Sequence, residues 1–364
     1  MSEALTPRHT PDTRPVRPSE QLDWTALDSY VRARFETVEV AGRDKSATLE
    51  VEQFHGGHSN LTYLLRYGAH EMVLRRAPFG LVPARAHDMA REYRTLAALH
   101  PVFPLCPRPL LLCEDPAILG AVFYVMERRS GVIIRDQEPP SFQQHPELRR
   151  QVSAALIDAL AALHALDVAA PPIRDLGKPE GFVQRQVRGW TERWNKSQTC
   201  PLPAMDRLAD WLGAQIPADP AFPSILHGDF KLDNVMLDAA DPARLVAVFD
   251  WEMSAIGDAR VDLGILLCYW VHSAAVVADR ALASVTTRPG WFSRQEILER
   301  YESRNEEPIG ELTFFEALAI FKLAVIIQQL FARYHRGQTD DPRFASLGGL
   351  VAQLAERGEE IAGR

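Results

Sequence analysis

The sequence predicts an α+β fold, with a small β-rich region followed by a larger helical one, on three observations. Between residues 47 and 127 most apolar residues fall in short runs separated by turn sequences. Beyond "RRSG" they recur at helical spacing over most of the chain. One stretch interrupts that helical pattern: "NVMLD" and "LVAVFD", two short apolar runs with acidic flanks, joined by "AADPAR". A chain of 364 residues is long enough for two such regions, each with a core of its own.

The opening segment, "MSEALTPRHTPDTRPVRPSE", is rich in Pro, Thr, Arg and Ser and lacks an apolar run. Residues 1–22 are therefore expected to be a disordered tail and not a signal peptide. A helix is expected near Trp24 to Phe35. Three strand-like runs follow, "ATLEVEQF", "NLTYLLRY" and "EMVLRR", separated by the turn sequences "HGGHS" and "GAH". "AHDMAREYRTLAALH" puts Met89, Tyr93, Leu96 and Leu99 on one helical face. "RPLLLCE" and "AVFYVME" complete an expected five-stranded antiparallel sheet, so the first lobe is read as residues 23–128 and the second as 129–364. In the second, "ELRRQVSAALIDALAALHAL" is strongly helical. "ALAIFKLAVIIQQLFA", interrupted by Lys322 and two glutamines, reads as a buried helix too short to cross a bilayer.

Composition narrows the function. A net charge of -8 with 24 % charged residues argues against nucleic acid as a partner. The four cysteines form no C-x-x-C pair, which predicts neither a zinc site nor a disulfide framework and favours the reducing cytoplasm. No membrane partner is expected.

The chemistry is concentrated in "LHGDFKLDNVML". If "NVMLD" and "LVAVFD" fold as a hairpin, Asn234 and Asp250 meet at its open end. One amide oxygen and one carboxylate make an oxygen-only site suited to Mg²⁺ with waters and phosphates. Asp229 lies five residues before Asn234, placed to orient an acceptor hydroxyl and receive its proton. Lys231 can reach a transferring phosphoryl group. An aspartate five positions before a metal-binding asparagine, with a metal aspartate after the next strand, is the spacing of a kinase catalytic loop. His227 is expected to hydrogen-bond backbone and not to carry protons.

With "VFDWEMSAIGDARVDLG", this loop resembles the aminoglycoside phosphotransferase superfamily, whose fold is protein-kinase-like. "QFHGGHSNLTYLLRY", "MVLRRAPFG", "AHDMAREYRTL" and "FYVMERRSG" are similar to one branch, the phosphotransferase domains fused to some acyl-CoA dehydrogenases. The resemblance implies an ATP-dependent O-phosphotransferase acting on a small-molecule hydroxyl. It implies Asp229 as base, Asn234 and Asp250 as Mg²⁺ ligands, and Glu252 as a supporting or second-metal group. Asp258 and Asp262 match a "GD…DLG" segment with a structural role.

In the nucleotide-binding lobe, "HGGHSN" offers Gly56 and Gly57 for close backbone approach to phosphates, with Ser59 and Asn60 as polar contacts. No G-x-x-x-x-G-K-[ST] occurs, so a Walker-type loop is excluded. Arg75 stands where the kinase template has lysine, and Glu92 is its expected partner. Strand alternation sends Arg76 to the other face, and which arginine serves the phosphates stays open. Backbone around Glu127 matches an adenine-binding hinge. In the second lobe, "GFVQRQVRGWTERWNKS" joins Arg185, Arg188 and Trp190 on one helix, readable as a solvated face over a packed core or as a surface for an anionic acceptor. The acceptor, the choice of ATP over GTP and the oligomeric state are left open by the sequence.

Overall fold

The computed structural model describes residues 12–35, 46–54, 60–79, 88–270, 285–305 and 308–363. The chain divides into two compact units, Met1–Ser130 and Gly131–Arg364.

The first unit is built on an antiparallel sheet of β1 (Thr13–Arg14), β2 (Leu49–Phe54), β3 (Leu61–Tyr67), β4 (His70–Arg76), β5 (Pro109–Cys113) and β6 (Phe123–Glu127). Their order is β1-β2-β3-β4-β6-β5, one strand more than expected. The extra strand comes from the segment read as a disordered tail, and for residues 12–22 that reading is corrected. Thr13 Oγ1 donates to Glu52 (2.6 Å), Arg17 N donates to Gln53 Oε1 (3.0 Å), and Tyr63 OH donates to the Glu20 carbonyl (2.8 Å). An edge strand needs partners for its backbone and polar groups but little apolar surface, so a Pro/Thr-rich composition can still be ordered there.

Helix α1 (Trp24–Arg32) starts where Asp23 accepts from Ala26 N at 2.9 Å, a side-chain N-cap. It buries Leu27 and Val31 against Leu61, Tyr63, Leu65, Leu74 and Phe123 on one sheet face. Helix α2 (Met89–Leu99), capped by Asp88 at 2.9 Å, serves the opposite face. There Tyr93 meets Tyr124 edge-on, with ring centroids 6.2 Å apart. Helix α3 (Pro116–Leu119) links β5 to β6.

The second unit is mostly helical. It contains α4 (Ser141–Gln144), α5 (Glu147–His164), α6 (Phe182–Ser197), α7 (Pro203–Ala214), α8 (Arg260–Tyr269), α9 (Arg294–Glu302), α10 (Thr313–His335) and α11 (Leu347–Ile361). Two small antiparallel ribbons interrupt them: β7 (Ser224–Leu226) with β10 (Ala255–Gly257), and β8 (Val235–Leu237) with β9 (Leu245–Val248). Helix α10 has 23 residues and is long and apolar enough to cross a membrane, which corrects the expectation that it is too short. Two thirds of its most apolar window is nevertheless buried, packed on α6, α7, α8 and α11. Gly264 of α8 permits the closest approach: a Cβ there would collide with the Phe315 carbonyl oxygen of α10. All four cysteines are free.

Candidate active site

The loop between β7 and β8 is shaped from below by one buried carboxylate. Asp262, on α8, accepts from His227 N at 2.7 Å and from Gly228 N at 2.8 Å. Its Oδ2 also lies 3.3 Å from His164 Nε2, and His164 Nδ1 lies 2.7 Å from Tyr301 OH. Burial alone would raise the Asp262 pKa, but His164, His227 and the backbone N–H hold it below the ordinary 3.8. Asp262 thus has the loop-ordering role expected of it. Gly228 turns the chain at φ 81, and a Cβ there would lie 2.5 Å from the Met253 carbonyl oxygen. Glycine is required on both counts.

His227 is a strut, as expected. It accepts from Asp229 N through Nδ1 (3.2 Å), which leaves Nε2 to donate to the Phe249 carbonyl at 2.8 Å. The end of β9 is therefore tied to the start of the loop. A second tie runs from Phe249 N to the Asn234 carbonyl at 2.8 Å. Together they bring Asp250, the next residue after Phe249, beside Asn234, sixteen positions away in sequence. Asp250 is the one non-glycine with positive φ among the described residues, at φ 68 and ψ 58. Strained backbone of this kind persists where the surroundings over-determine it.

The Asn234 amide donates through Nδ2 to the Asp229 carbonyl (2.9 Å) and to Asp229 Oδ2 (3.1 Å). With the nitrogen so committed, Oδ1 is the atom left for a cation. Among the described residues no three His, Cys, Asp or Glu side chains gather into a metal cage. An amide oxygen with the Asp250 carboxylate fits instead a hard cation such as Mg²⁺, whose other positions go to water and phosphate. Lys231 Nζ lies 3.0 Å from Asp229 Oδ2 and 4.5 Å from the Tyr269 ring centroid. Burial works to lower the Lys231 pKa, but Asp229, Tyr269 and Asp233 more than offset it and raise the value above the usual lysine range. The lysine is a fixed cation.

In the first unit, Arg75 Nη1 lies 2.6 Å from Glu92 Oε1, with the glutamate side chain 1 % exposed. The expected pair is present. Arg76 pairs in register with Leu61 and is buried on the α1 side, its guanidinium 4.4 Å from the Phe79 ring centroid. Arg75 is thus the arginine beside Glu92, and Arg76 belongs to the opposite face. Asn60 is buried, while Gly56, Gly57 and Ser59 lie outside the described residues. Glu127 cannot supply a backbone donor to adenine, because its N–H donates to the Arg108 carbonyl at 2.9 Å. Its carboxylate accepts from Arg108 N (2.6 Å) and Arg129 Nε (2.8 Å).

The basic helix of the sequence is α6, and its Arg185 and Arg188 do not come together. Arg185 caps its own approach loop by donating to the carbonyls of Lys178 and Glu180. Arg188 is exposed, 3.9 Å from Glu192 one turn on. Their geometry is that of a solvated face, the first of the two readings the sequence left open. Trp190 is buried at 6 % exposure and lines a pocket on the Gly228 side of the loop. The pocket is walled by Trp190, Met253, Phe315 and Leu318 with Gln186 and Lys322. Lys322 donates to the Gly228 carbonyl at 2.6 Å. Sequence reasoning gave Lys322 no functional role, noting it only as an interruption; its signal was a lone lysine in the otherwise apolar run Ala317 to Ile327. Glu252 follows Asp250 in a short turn, Trp251–Met253, and is partly buried.

A family model described as "Phosphotransferase enzyme family" matches residues 50–297. Acyl-CoA dehydrogenase family member 11 of Rattus norvegicus is 33 % identical over 358 residues, covering 98 % of this chain and 45 % of that protein. The chain thus spans less than half the length of that relative. A crystal structure of a candidate aminoglycoside phosphotransferase from Ralstonia eutropha superposes with TM-score 0.79 at 32 % identity, covering 94 % of this chain and 99 % of that one. An aminoglycoside phosphotransferase, APH(4)-Ia, in ternary complex with ADP and hygromycin B, shares the fold at TM-score 0.53 and 16 % identity, covering 92 % and 97 %.

Proposed function

This chain belongs to the phosphotransferase enzyme family, and we propose that it transfers the γ-phosphoryl group of ATP to the hydroxyl of a small acyl-type molecule. The observation that carries the reading is the triangle of Asp229, Asn234 and Asp250. Asn234 clamps the Asp229 carboxylate at 3.1 Å, and its own carbonyl binds the residue before Asp250. Mg²⁺, when held by Asn234 and Asp250, supplies charge neutralisation for the phosphate oxygens.

Asp229 does the proton work. Its carboxylate, oriented by Asn234, accepts the proton of the acceptor hydroxyl as that oxygen bonds to phosphorus and the bond to the ADP oxygen breaks. Lys231, kept charged beside it, offers a cation where negative charge moves from the nucleotide to the acceptor. Glu92 holds Arg75 in one orientation, a planar donor suited to phosphate.

Two observations support an acyl acceptor, a hydroxy acid or its CoA thioester. The pocket beside Gly228 is apolar and carries a cation, unlike the acidic wall a polycationic antibiotic would need. The rat relative, moreover, is named for acyl-CoA chemistry. Likeness to a candidate aminoglycoside phosphotransferase favours the second reading, an aminoglycoside or amino alcohol. ATP consumption across hydroxyacyl-CoAs, free hydroxy acids, amino alcohols and aminoglycosides separates the two. With the accepted substrate, Asp229→Ala should lower turnover by about 10² to 10⁴ while calorimetric binding of a non-hydrolysable nucleotide stays near wild type. Equal loss of both would remove Asp229 from the proton transfer.

A further inference from the structure

We infer that Lys322 is the specificity-determining residue of the acceptor pocket, where it binds an acyl oxygen, carbonyl or carboxylate, and selects against cationic acceptors. The inference rests on the phosphotransferase reading for what the pocket is for, but not for what Lys322 binds.

An ammonium carries three N–H donors. Lys322 makes one hydrogen bond among the described residues, to the Gly228 carbonyl at 2.6 Å. That carbonyl immediately precedes Asp229, so the ammonium stands one residue from the catalytic carboxylate. Around it the pocket is mostly apolar: Phe315, Leu318 and Ala319 from its own helix, Met253 from the turn after Asp250, and Trp190, with Gln186 as the other polar side chain. The ammonium lies 5.7 Å from the Trp190 ring centroid. The tryptophan face supports the cation without consuming a donor. Its remaining donors are available to an oxygen of an occupant of the pocket.

The placement also sets a rule for what can enter. Burial, with Lys231 beside it, lowers the Lys322 pKa, while Asp229 and Asp262 favour the charged form; in that form it offers a cation and its N–H donors to the occupant of the pocket. A protonated amine placed there meets a like charge in surroundings of low polarisability, whereas a carboxylate or polarised carbonyl meets a donor. A molecule with a hydroxyl reaching Asp229, a short apolar body, and an acyl oxygen on Lys322 satisfies all three elements at once.

A purely structural lysine, holding α10 to the loop, would make a different prediction, because its loss would disturb every acceptor alike. The first test therefore uses unreactive analogues and no turnover. Butanoate, the N-acetylcysteamine thioester of butanoate, butanol and butylamine are titrated against the wild-type chain and against Lys322→Met, with folding followed by thermal melting. Wild type should bind butanoate or the thioester about 10- to 100-fold more tightly than butanol, and butylamine least. The two acyl arms distinguish a carboxylate from a carbonyl as the ligand. Lys322→Met should erase the acyl preference and leave butanol unchanged, while Lys322→Arg should retain it. Equal affinity for all four ligands in wild type overturns the inference, and does so even if the methionine variant fails to fold. A failed search for a phosphorylated acceptor would count against the phosphotransferase reading alone. Once an acceptor is known, Lys322→Met should raise its KM while the ATP KM holds; a uniform loss of kcat for all acceptors would reduce Lys322 to a loop support.

Discussion

Asp250 occupies a left-handed conformation, φ 68 and ψ 58, that glycine adopts freely and most residues avoid at a cost of about 1–2 kcal/mol. A side chain kept there against that cost is retained for what its carboxylate does. Stability and activity should therefore part company at this position. Asp250→Gly should be inactive yet still fold cooperatively in urea denaturation. Asp250→Ala should be equally inactive and less stable than the glycine variant by about 1 kcal/mol. Asp250→Asn, which tolerates the conformation, should fold normally and require far more Mg²⁺. An overlay of its Mg²⁺ dependence on that of wild type would remove Asp250 from the metal site. At the same scale Arg75 and Arg76, adjacent in sequence, have divergent fates because a strand alternates faces: one meets Glu92 at 2.6 Å, the other packs near Phe79.

Among elements, the decisive join is between α8 and the loop before β8. Asp262 takes two loop N–H groups onto its two oxygens and is itself fully buried. Asp262→Asn keeps one carbonyl oxygen but replaces the other with a donor facing a donor. Leaving one buried N–H unmet should lower stability by about 1–3 kcal/mol. Because the loop carries Asp229, turnover should fall more than nucleotide affinity does. Stopped-flow binding beside steady-state kinetics checks this, and equal loss of both would mean that Asp262 acts on folding alone. Gly264 shows the same logic between helices, since any side chain there would force α8 away from α10.

Over the whole molecule, several carboxylates paired with cations sit below their ordinary pKa, and acid should reveal them. Burial works to raise Glu138, but Arg149, Arg288 and Trp291 bind it and hold it below the ordinary 4.5. Asp158, between Arg300 and Arg304, and Asp262 are likewise held below 3.8. A depressed carboxylate takes up a proton more readily in the unfolded chain. The stability it contributes is thus complete above the unfolded value and is lost as pH falls through the folded one. Melting temperature should hold down to about pH 4.5 and fall below it as these carboxylates are titrated. Glu138→Gln, which leaves two arginines without their shared anion, should cost on the order of 3 kcal/mol near neutrality. Its deficit against wild type should shrink as the pH is lowered through the carboxylate range. A deficit unchanged down to pH 3 would mean that Glu138 acts by shape and not by charge.

The sequence by itself determined what is local or periodic. The strands of the first unit and the face of α2 followed from alternation and helical spacing. So did the meeting of Asn234 with Asp250, because a short hairpin leaves one way to close. The Arg75–Glu92 pair was legible for the same reason, each residue being placed by the period of its own element. The family followed from motifs whose spacing is itself chemical, and the matching model bears that out. Only tertiary structure decided the rest. Thr13–Arg14 became a strand because a sheet edge elsewhere offered backbone partners, which composition does not record. Arg185 and Arg188 could be read in sequence as a solvated face or an anion site; in the fold Arg185 binds carbonyls of its own approach loop and Arg188 is exposed. Lys322, a lone charge in an apolar run, reached the Gly228 carbonyl from 94 positions away. Local pattern is set by neighbours along the chain, whereas a pocket is set by which distant side chains packing brings together.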